Sequence, residues 1–354
     1  IIDRKFCVAP MMGYTTPYAR NLYRILSKKA FLFSEMIATK TLIHSKNTHS
    51  IIANDNQNPI ALQVGGSDYA DLKKCTNIAY ELNYNEINLN VGCPSKAVQK
   101  GSFGACLMQN KNLVKNCLNS MQINKNIEVS IKCRIGIGKN FNYDYFEEFI
   151  DEILNSGIKI IYVHARNAIL NGFSPKDNRN IPPLNYDFVK KIKEKYPKIT
   201  FILNGGIDNI DKAKNLLTTY DGVMVGRLIQ NNPFCLRLVD SLFYNHKSSY
   251  KISENTIIEY FSLTCGSCAQ FHNNILPKLK KNFIETGKAK FIGRDFPLNN
   301  LAVLGHLMAR CAPANRYYPY IDTLFHNFER WTGSSDPVAA LRRIARLGGM
   351  NSEK

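Results

Sequence analysis

The chain has 354 residues, 45% of them hydrophobic and 21% charged, the balance of a globular protein long enough for two domains or for one large α/β domain with an appendage. Its formal net charge of +18 is carried by both halves, which fits either a solvated basic surface or a polyanionic partner such as nucleic acid. No apolar run approaches the ~20 residues that cross a bilayer, and Ile1-Ile2-Asp3-Arg4-Lys5 lacks the basic-then-apolar start of a secretory leader, so a cytoplasmic protein with reduced thiols and no membrane partner is expected.

In chain order, short β-rich runs alternate with amphipathic stretches. Strands are predicted at 6–9, 31–34, 60–64, 86–90, 128–132, 160–164, 200–204 and 222–225. Helices are predicted at 17–26, 70–82, 113–121, 145–155, 186–194 and 210–217. Eight strands with intervening helices predict a (β/α)8 TIM barrel. The alternative, an open doubly wound sheet, usually carries a G-x-G-x-x-G switch-point motif, and the sequence has none. The pattern breaks at Tyr244-Asn245-His246-Lys247-Ser248-Ser249-Tyr250, which sets a barrel domain at 1–243, a linker at 244–253 and a second domain at 254–354. There a strand at 256–261, a helix at 269–281 and a strand at 289–294 precede further helices.

Polar residues collect just after the predicted strands: Pro10-Met11-Met12, Glu35, Gln63, Asn90, Lys132, His164-Ala165-Arg166, Asn204-Gly205-Gly206 and Gly226-Arg227. In a barrel those positions surround one active-site mouth. Gly205-Gly206 lets backbone N–H groups approach a phosphate and Arg227 offers a charged fork; the plainer reading is two tight turns and a surface arginine. Lys132 and His164, with Gln63 and Asn204, form the polar set that holds a flavin ring by its carbonyls and nitrogens, unless they are simply a polar rim. Cys93 lies beyond the fourth strand between Gly92 and Pro94. A thiol of pKa about 8.5 is protonated at neutral pH and can donate a proton, although most free cysteines are small buried hydrophobes.

Of the ten cysteines, only Cys265-Gly266-Ser267-Cys268 has C-x-x-C spacing, and no second pair completes a zinc site, so no metal is expected. The pair opens a predicted helix, whose N-terminus favours a thiolate at Cys265 with Cys268 as the resolving thiol. Half a metal site or two chance cysteines is the alternative.

The motifs Ala9-Pro10-Met11-Met12, Leu62-Gln63-Val64-Gly65-Gly66, Asn88-Leu89-Asn90-Val91-Gly92-Cys93-Pro94-Ser95, Phe103-Gly104-Ala105-Cys106-Leu107-Met108, Lys132-Cys133-Arg134-Ile135-Gly136, His164-Ala165-Arg166, Asn204-Gly205-Gly206 and Val225-Gly226-Arg227 together resemble the tRNA-dihydrouridine synthases. Ser174-Pro175-Lys176-Asp177-Asn178-Arg179-Asn180 resembles their A-type branch, which acts on D-loop uridines of the 20/20a class. This resemblance runs to about residue 240. It implies FMN held by Pro10, Met11, Met12, Gln63, Lys132, His164, Asn204, Gly205, Gly206, Gly226 and Arg227, with NADPH as electron donor. It also implies Cys93 as proton donor, tRNA contacts at Asn90, Lys176 and Arg179, and reduction of uridine to 5,6-dihydrouridine.

Thr256–Phe261 with the C-x-x-C, Phe291-Ile292-Gly293-Arg294-Asp295-Phe296-Pro297-Leu298 and Met308-Ala309-Arg310-Cys311-Ala312 resemble DsbA-like thioredoxin-fold oxidoreductases over about 251–350. The sequence stops before the cis-proline turn and the last two strands of that fold. A truncated thioredoxin-like segment with a helical insertion is therefore expected, with an exposed edge and an apolar face, joined near residue 250 to a barrel lacking its family's helical tRNA-binding domain. A thiol–disulfide oxidoreductase using Cys265 and Cys268 and a non-catalytic tRNA-binding protein are the alternative functions.

Overall fold

The computed structural model describes residues 2–45, 54, 56–246 and 256–347, so most of the expected 244–253 linker and the last seven residues lie outside the described residues. The chain divides into two compact units, 1–250 and 251–354.

The first unit is a (β/α)8 barrel. Its strands are β1 (Phe6–Val8), β2 (Leu32–Ala38), β3 (Ile60–Gly65), β4 (Glu86–Val91), β5 (Glu128–Arg134), β6 (Ile160–His164), β7 (Thr200–Asn204) and β8 (Gly222–Val225). They pair in parallel in the order β1-β8-β7-β6-β5-β4-β3-β2. The ring closes between its ends, where Cys7 bridges Phe31 and the N–H of Phe31 reaches the carbonyl of Phe6 at 2.9 Å. Outer helices start on side-chain caps: Asp68 for Tyr69–Glu81, Asn110 for Lys111–Met121, Asn142 for Tyr143–Leu154, Asn185 for Tyr186–Lys195 and Asn209 for Ile210–Leu216. Each accepts an otherwise orphaned N–H of the first turn, so four asparagines fix where the main helices after β4, β5, β6 and β7 begin.

The ring has two different inner walls. Cys7, Phe31, Phe33, Ala61, Tyr162, Ile202 and Met224 form one apolar cluster. Across β3, β4 and β5 the inward positions are instead Gln63, Glu86, Asn88, Asn90 and Ser130, all buried. At the lower end Arg4 clamps Glu86 at 2.6 Å and also reaches Glu128. Burial pushes the Glu86 carboxyl up, against Arg4 and the Ser130 hydrogen bond. Burial likewise pulls Arg4 down, but the charges of Glu86, Tyr162 and Glu128 outweigh it and hold the guanidinium above its ordinary value. Two guanidinium N–H groups on one Glu86 oxygen favour the ionised pair.

Strand β2 runs further than predicted, because a register irregularity between Phe33 and Met36 lets it continue beside β3. Glu35, expected beyond the strand, lies inside it at that irregularity and accepts the N–H of Gly13 at 2.5 Å. Short helices at Thr39–His44, Lys96–Lys100, Asp177–Asn180, Arg227–Asn231 and Val239–Tyr244 occupy connections too brief for periodicity to reveal.

In the second unit β9 (Thr256–Phe261) and β10 (Lys290–Asp295) form a parallel pair in continuous register. Cys265 caps the following helical run, which passes through Gly266–Gln270, Phe271–Ile275, Leu276–Leu279 and Lys280–Ile284. Two of these turns widen to π geometry on either side of Pro277, which donates no N–H. The run therefore extends beyond the predicted 269–281. Helices Asn300–Cys311, Tyr317–His326, Phe328–Thr332 and Pro337–Leu347 complete the unit. Its core is Phe261, Leu263, Ala269, Ile321, Leu324, Phe325 and a fully buried Trp331, whose indole N–H donates to the Leu324 carbonyl at 3.0 Å. Leu298 and Leu307 remain more than half exposed.

Candidate active site

The carboxyl ends of the strands gather the residues singled out in the first unit. Asn90 and Lys132 are register partners on β4 and β5, and Gly92 lies against the Lys132 carbonyl. His164 and Asn204 are register partners on β6 and β7. Cys93, Lys132 and His164 thus share one end of the barrel.

The backbone of Cys93 is held at both ends of its peptide. Its N–H donates to Asn90 Oδ1 at 3.0 Å, beside the N–H of Gly92 at 3.2 Å. Its carbonyl accepts the Ala105 N–H at 2.9 Å. Gly104 makes that approach possible: its φ is +78°, and a Cβ there would lie 2.6 Å from the Cys93 oxygen. Arg134 Nε donates to the Gly92 carbonyl at 2.9 Å and its other end to the carbonyls of Asn167 and Asn178 at 3.0 Å. One buried guanidinium therefore ties the Cys93 loop to the segment carrying Lys176 and Arg179, both exposed at the helical turn Asp177–Asn180.

Around the mouth Lys132 Nζ donates to Asn204 Oδ1 at 3.0 Å, and Asn204 Nδ2 to the Met224 carbonyl at 2.8 Å. Burial of its amine, reinforced by Arg134, pushes the Lys132 pKa down to about 8. Burial and then the charges of Arg134, Lys132, Arg166 and Arg227 hold His164 well below its usual value, so its imidazole is neutral at pH 7. Gly205 and Gly206 have φ of +112° and +65°, and a Cβ on Gly205 would sit 2.6 Å from the His164 ring. The Gly205 carbonyl accepts from Tyr186 at 2.5 Å and that of Gly206 from Lys212 at 2.6 Å. Arg227, exposed after Gly226, bonds Asn180 Oδ1 at 2.6 Å. The Met11 N–H donates to Thr15 Oγ1 at 3.0 Å and a Cβ on Gly226 would lie 3.4 Å from the Met11 sulfur, whereas Met12 is 70% exposed.

Arg134 and Arg166 stand in the quoted motifs, but the sequence assigns them no role. Arg166 bonds the carbonyls of Pro182 and Asn180, and its buried Nε has no hydrogen-bond partner among the described residues. Arg134, Lys132, Arg166 and Arg227 all act on His164. Such a cluster, with an orphaned donor beside a glycine turn of positive φ, fits an anionic, electron-rich group such as a flavin phosphate. No helix of the described residues is long and apolar enough to cross a membrane, and no metal-ligating cluster occurs among them.

In the second unit Cys265 Sγ accepts the Cys268 N–H at 3.3 Å. Burial, and then the Cys265 contact, pushes the Cys268 thiol up to about 12. In the next turn of the helical run His272 Nε2 meets Glu259 at 2.8 Å, and its Nδ1 lies 3.5 Å from Asp322.

Two family profiles match the chain: "Dihydrouridine synthase (Dus)" over residues 7–286 and "Thioredoxin" over residues 250–353. The two spans overlap just past the boundary between the compact units. The chain is 41% identical over 258 residues to a tRNA-dihydrouridine(20/20a) synthase of Shewanella oneidensis, covering 73% of this chain and 76% of that protein. It is 44% identical over 237 residues to the enzyme of the same description from Escherichia coli K12, covering 67% and 68% respectively. Among solved structures, alpha-DsbA1 of Wolbachia pipientis is 34% identical over 27% of this chain and 50% of that one, with a TM-score of 0.26.

Proposed function

The chain belongs to the dihydrouridine synthase family of oxidoreductases, and from that premise we propose that it reduces a D-loop uridine of tRNA, of the 20/20a class, to 5,6-dihydrouridine with FMN in the barrel mouth and NADPH as electron donor. The observation that carries this reading is the two-ended tether on Cys93, which fixes a thiol-bearing loop beside a cationic mouth.

The proposal gives the residues of the mouth these roles. Gln63, Lys132, His164 and Asn204 hold the flavin ring, with Pro10, Met11 and Met12 at its border. The turn at Gly205 and Gly206, with Gly226, Arg227 and the unpartnered Nε of Arg166, holds its phosphate. FMN held there and reduced by NADPH would supply hydride chemistry at uracil C6. Cys93 gives its proton to C5, so that one hydride and one proton saturate the C5–C6 double bond. The thiolate left behind regains a proton from solvent. Drawing the uridine out of its stack costs a few kcal/mol, offset by contacts with the basic segment at Lys176 and Arg179 and with Asn90.

Mass spectrometry of tRNA from a synthase-deficient host expressing this chain tests the proposal. Dihydrouridine appears with the parent chain and not with Cys93→Ala, which still binds FMN and is yellow. A parent chain that stays colourless after FMN addition sinks the reading. A second activity, thiol–disulfide exchange, is favoured by the placement of Cys265 at a helix start with its sulfur accepting the Cys268 N–H. Insulin reduction by the parent chain, lost in Cys265→Ser, supports it; equal rates dismiss it.

A further inference from the structure

The polar wall of the barrel carries one continuous file of hydrogen bonds from its lower end to the mouth. Ser130 Oγ donates to Glu86 Oε1 at 2.5 Å. Asn88 Nδ2 donates to Ser130 Oγ at 2.7 Å, and Gln63 Nε2 to Asn88 Oδ1 at 2.8 Å. Asn90 Nδ2 then donates to Gln63 Oε1 at 2.8 Å, and Asn90 Oδ1 accepts the N–H of Cys93 at 3.0 Å. The five side chains come from β3, β4 and β5 and are buried. Gln63 and Ser130 are both register partners of Asn88.

Every donor in this file points the same way, and the charge at its foot sets the direction. Glu86, ionised against Arg4, only accepts. Ser130 has one proton and gives it to Glu86, so its oxygen is left to accept. Asn88 must then turn its NH2 to Ser130 and its carbonyl to Gln63. By the same logic Gln63 turns its carbonyl to Asn90, and Asn90 turns its carbonyl to the Cys93 N–H. A reversed amide anywhere sets carbonyl against carbonyl or N–H against N–H in a buried space, where an unmade hydrogen bond is costly. Aligned bonds of this kind also polarise one another.

We propose that Ser130 and Asn88 are positioning residues, which transmit the orientation imposed by Glu86 to Gln63 and Asn90 and so hold Cys93 and the amide donors of the mouth in their working geometry. The proposal rests on the function given above, and it assigns work to side chains remote from the thiol. Neither residue touches the reacting atoms. Each acts only through the amide above it. With the Ser130 hydroxyl removed, Asn88 loses the acceptor that fixes its orientation. Asn88, Gln63 and Asn90 can then turn over together, presenting an NH2 to the Cys93 N–H and loosening the 92–95 loop.

The test compares Ser130→Ala with Ser130→Thr, which keeps a hydroxyl, in the full chain. The first readout needs neither flavin nor turnover: the rate at which iodoacetamide alkylates Cys93, followed by peptide mass spectrometry. Ser130→Ala raises that rate about tenfold, the scale of one buried hydrogen bond, and Ser130→Thr returns it to within about threefold of the parent. The second readout separates the half-reactions. Ser130→Ala lowers kcat for dihydrouridine formation about tenfold and leaves the KM for tRNA within about twofold. If Ser130→Ala does not accumulate as folded protein, Glu86→Gln, which keeps the shape and removes the directing charge, is read in the same way. An active parent whose variants alkylate and turn over within about twofold of it overturns the proposal. A parent that neither binds FMN nor makes dihydrouridine instead overturns the function above, and the alkylation rates still decide whether the file holds Cys93.

Discussion

The two units solve the problem of a parallel sheet differently. In the barrel, β3 and β4 are buried at every residue, and the ring closure at Cys7 and Phe31 leaves no strand edge. In the second unit, β9 is only partly buried except at Phe261, and β10 is covered fully only at Gly293. A closed ring satisfies its own backbone and can hold charge inside. A two-stranded sheet must draw its stability from the helices packed on one face. The barrel can therefore keep a wall of amides and a carboxylate in its interior, while the second unit fills its core with rings: Phe261, Phe325, Tyr320 and Trp331.

The largest expected effect breaks the barrel from within. Glu86→Leu leaves Arg4 buried without its main partner and Ser130 without its acceptor. The barrel should lose about 3–5 kcal/mol, the cost of removing one member of a buried pair, as measured by urea unfolding followed at the bound flavin. A loss below about 1 kcal/mol would mean that the partly exposed Glu128 carries the Arg4 charge unaided. The matching cut in the second unit is Trp331→Ala, expected to cost about 3–4 kcal/mol through an aromatic-sized cavity. It should abolish any insulin reduction and leave flavin absorbance unchanged. If both variants lose flavin equally, the contrast between self-sufficient units is wrong.

That contrast also explains what the sequence made legible. The barrel strands are apolar runs bounded by turn residues, and the rim motifs follow them, so fold class and the location of the mouth were readable. The polar wall was not. Glu86-Ile87-Asn88-Leu89-Asn90 alternates polar with apolar, the pattern of a strand with one face to solvent. Here the polar face turns into the ring, because the apolar face is taken by the outer helices. The repeated spacing of Glu86, Asn88 and Asn90 was the available signal, and its direction could not be read without the closure. Arg134 was hidden in a similar way: an arginine after a strand reads as surface, whereas this one is buried by the three carbonyls it binds. In the second unit the C-x-x-C stood out by spacing, but His272 between Glu259 and Asp322 depends on contacts across 50 residues of sequence.

A smaller effect sharpens the comparison through pH. Lys132 titrates near 8 instead of 10.5. Between those values the unfolded chain binds more protons than the folded one, so the stability of the flavin-free barrel should rise with pH across that window. FMN binding should run the other way. An electron-rich ring favours the charged amine, so binding takes up a proton, and affinity falls by up to about tenfold per pH unit above 8. Calorimetric titration in two buffers of different ionisation enthalpy measures that proton. Lys132→Met should remove both dependences, and a pH-independent affinity in the parent would separate Lys132 from the flavin.

The smallest expected effect has the opposite sign and belongs to the second unit. Burial pulls His272 down, but hydrogen bonds and charge from Asp322 and Glu259 outweigh it and raise its pKa above 6.5. The groups facing its ring are those two carboxylates and the rings of Phe261, Phe291 and Phe325, with Lys280 on the far oxygen of Asp322. A raised folded-state value means that the imidazolium contributes stability in full below about pH 6.5, the unfolded value, and that this contribution fades as pH rises through the folded value. The second unit should therefore weaken from pH 6 toward 8, followed by Trp331 fluorescence in urea, over a range in which Lys132 leaves the barrel unchanged. His272→Leu should flatten the profile. Because His272 lies one helical turn after Cys268 and its partner Glu259 acts on Cys268, the same variant should also change the pH dependence of Cys268 alkylation, a shift that a purely packing role for the histidine would not produce.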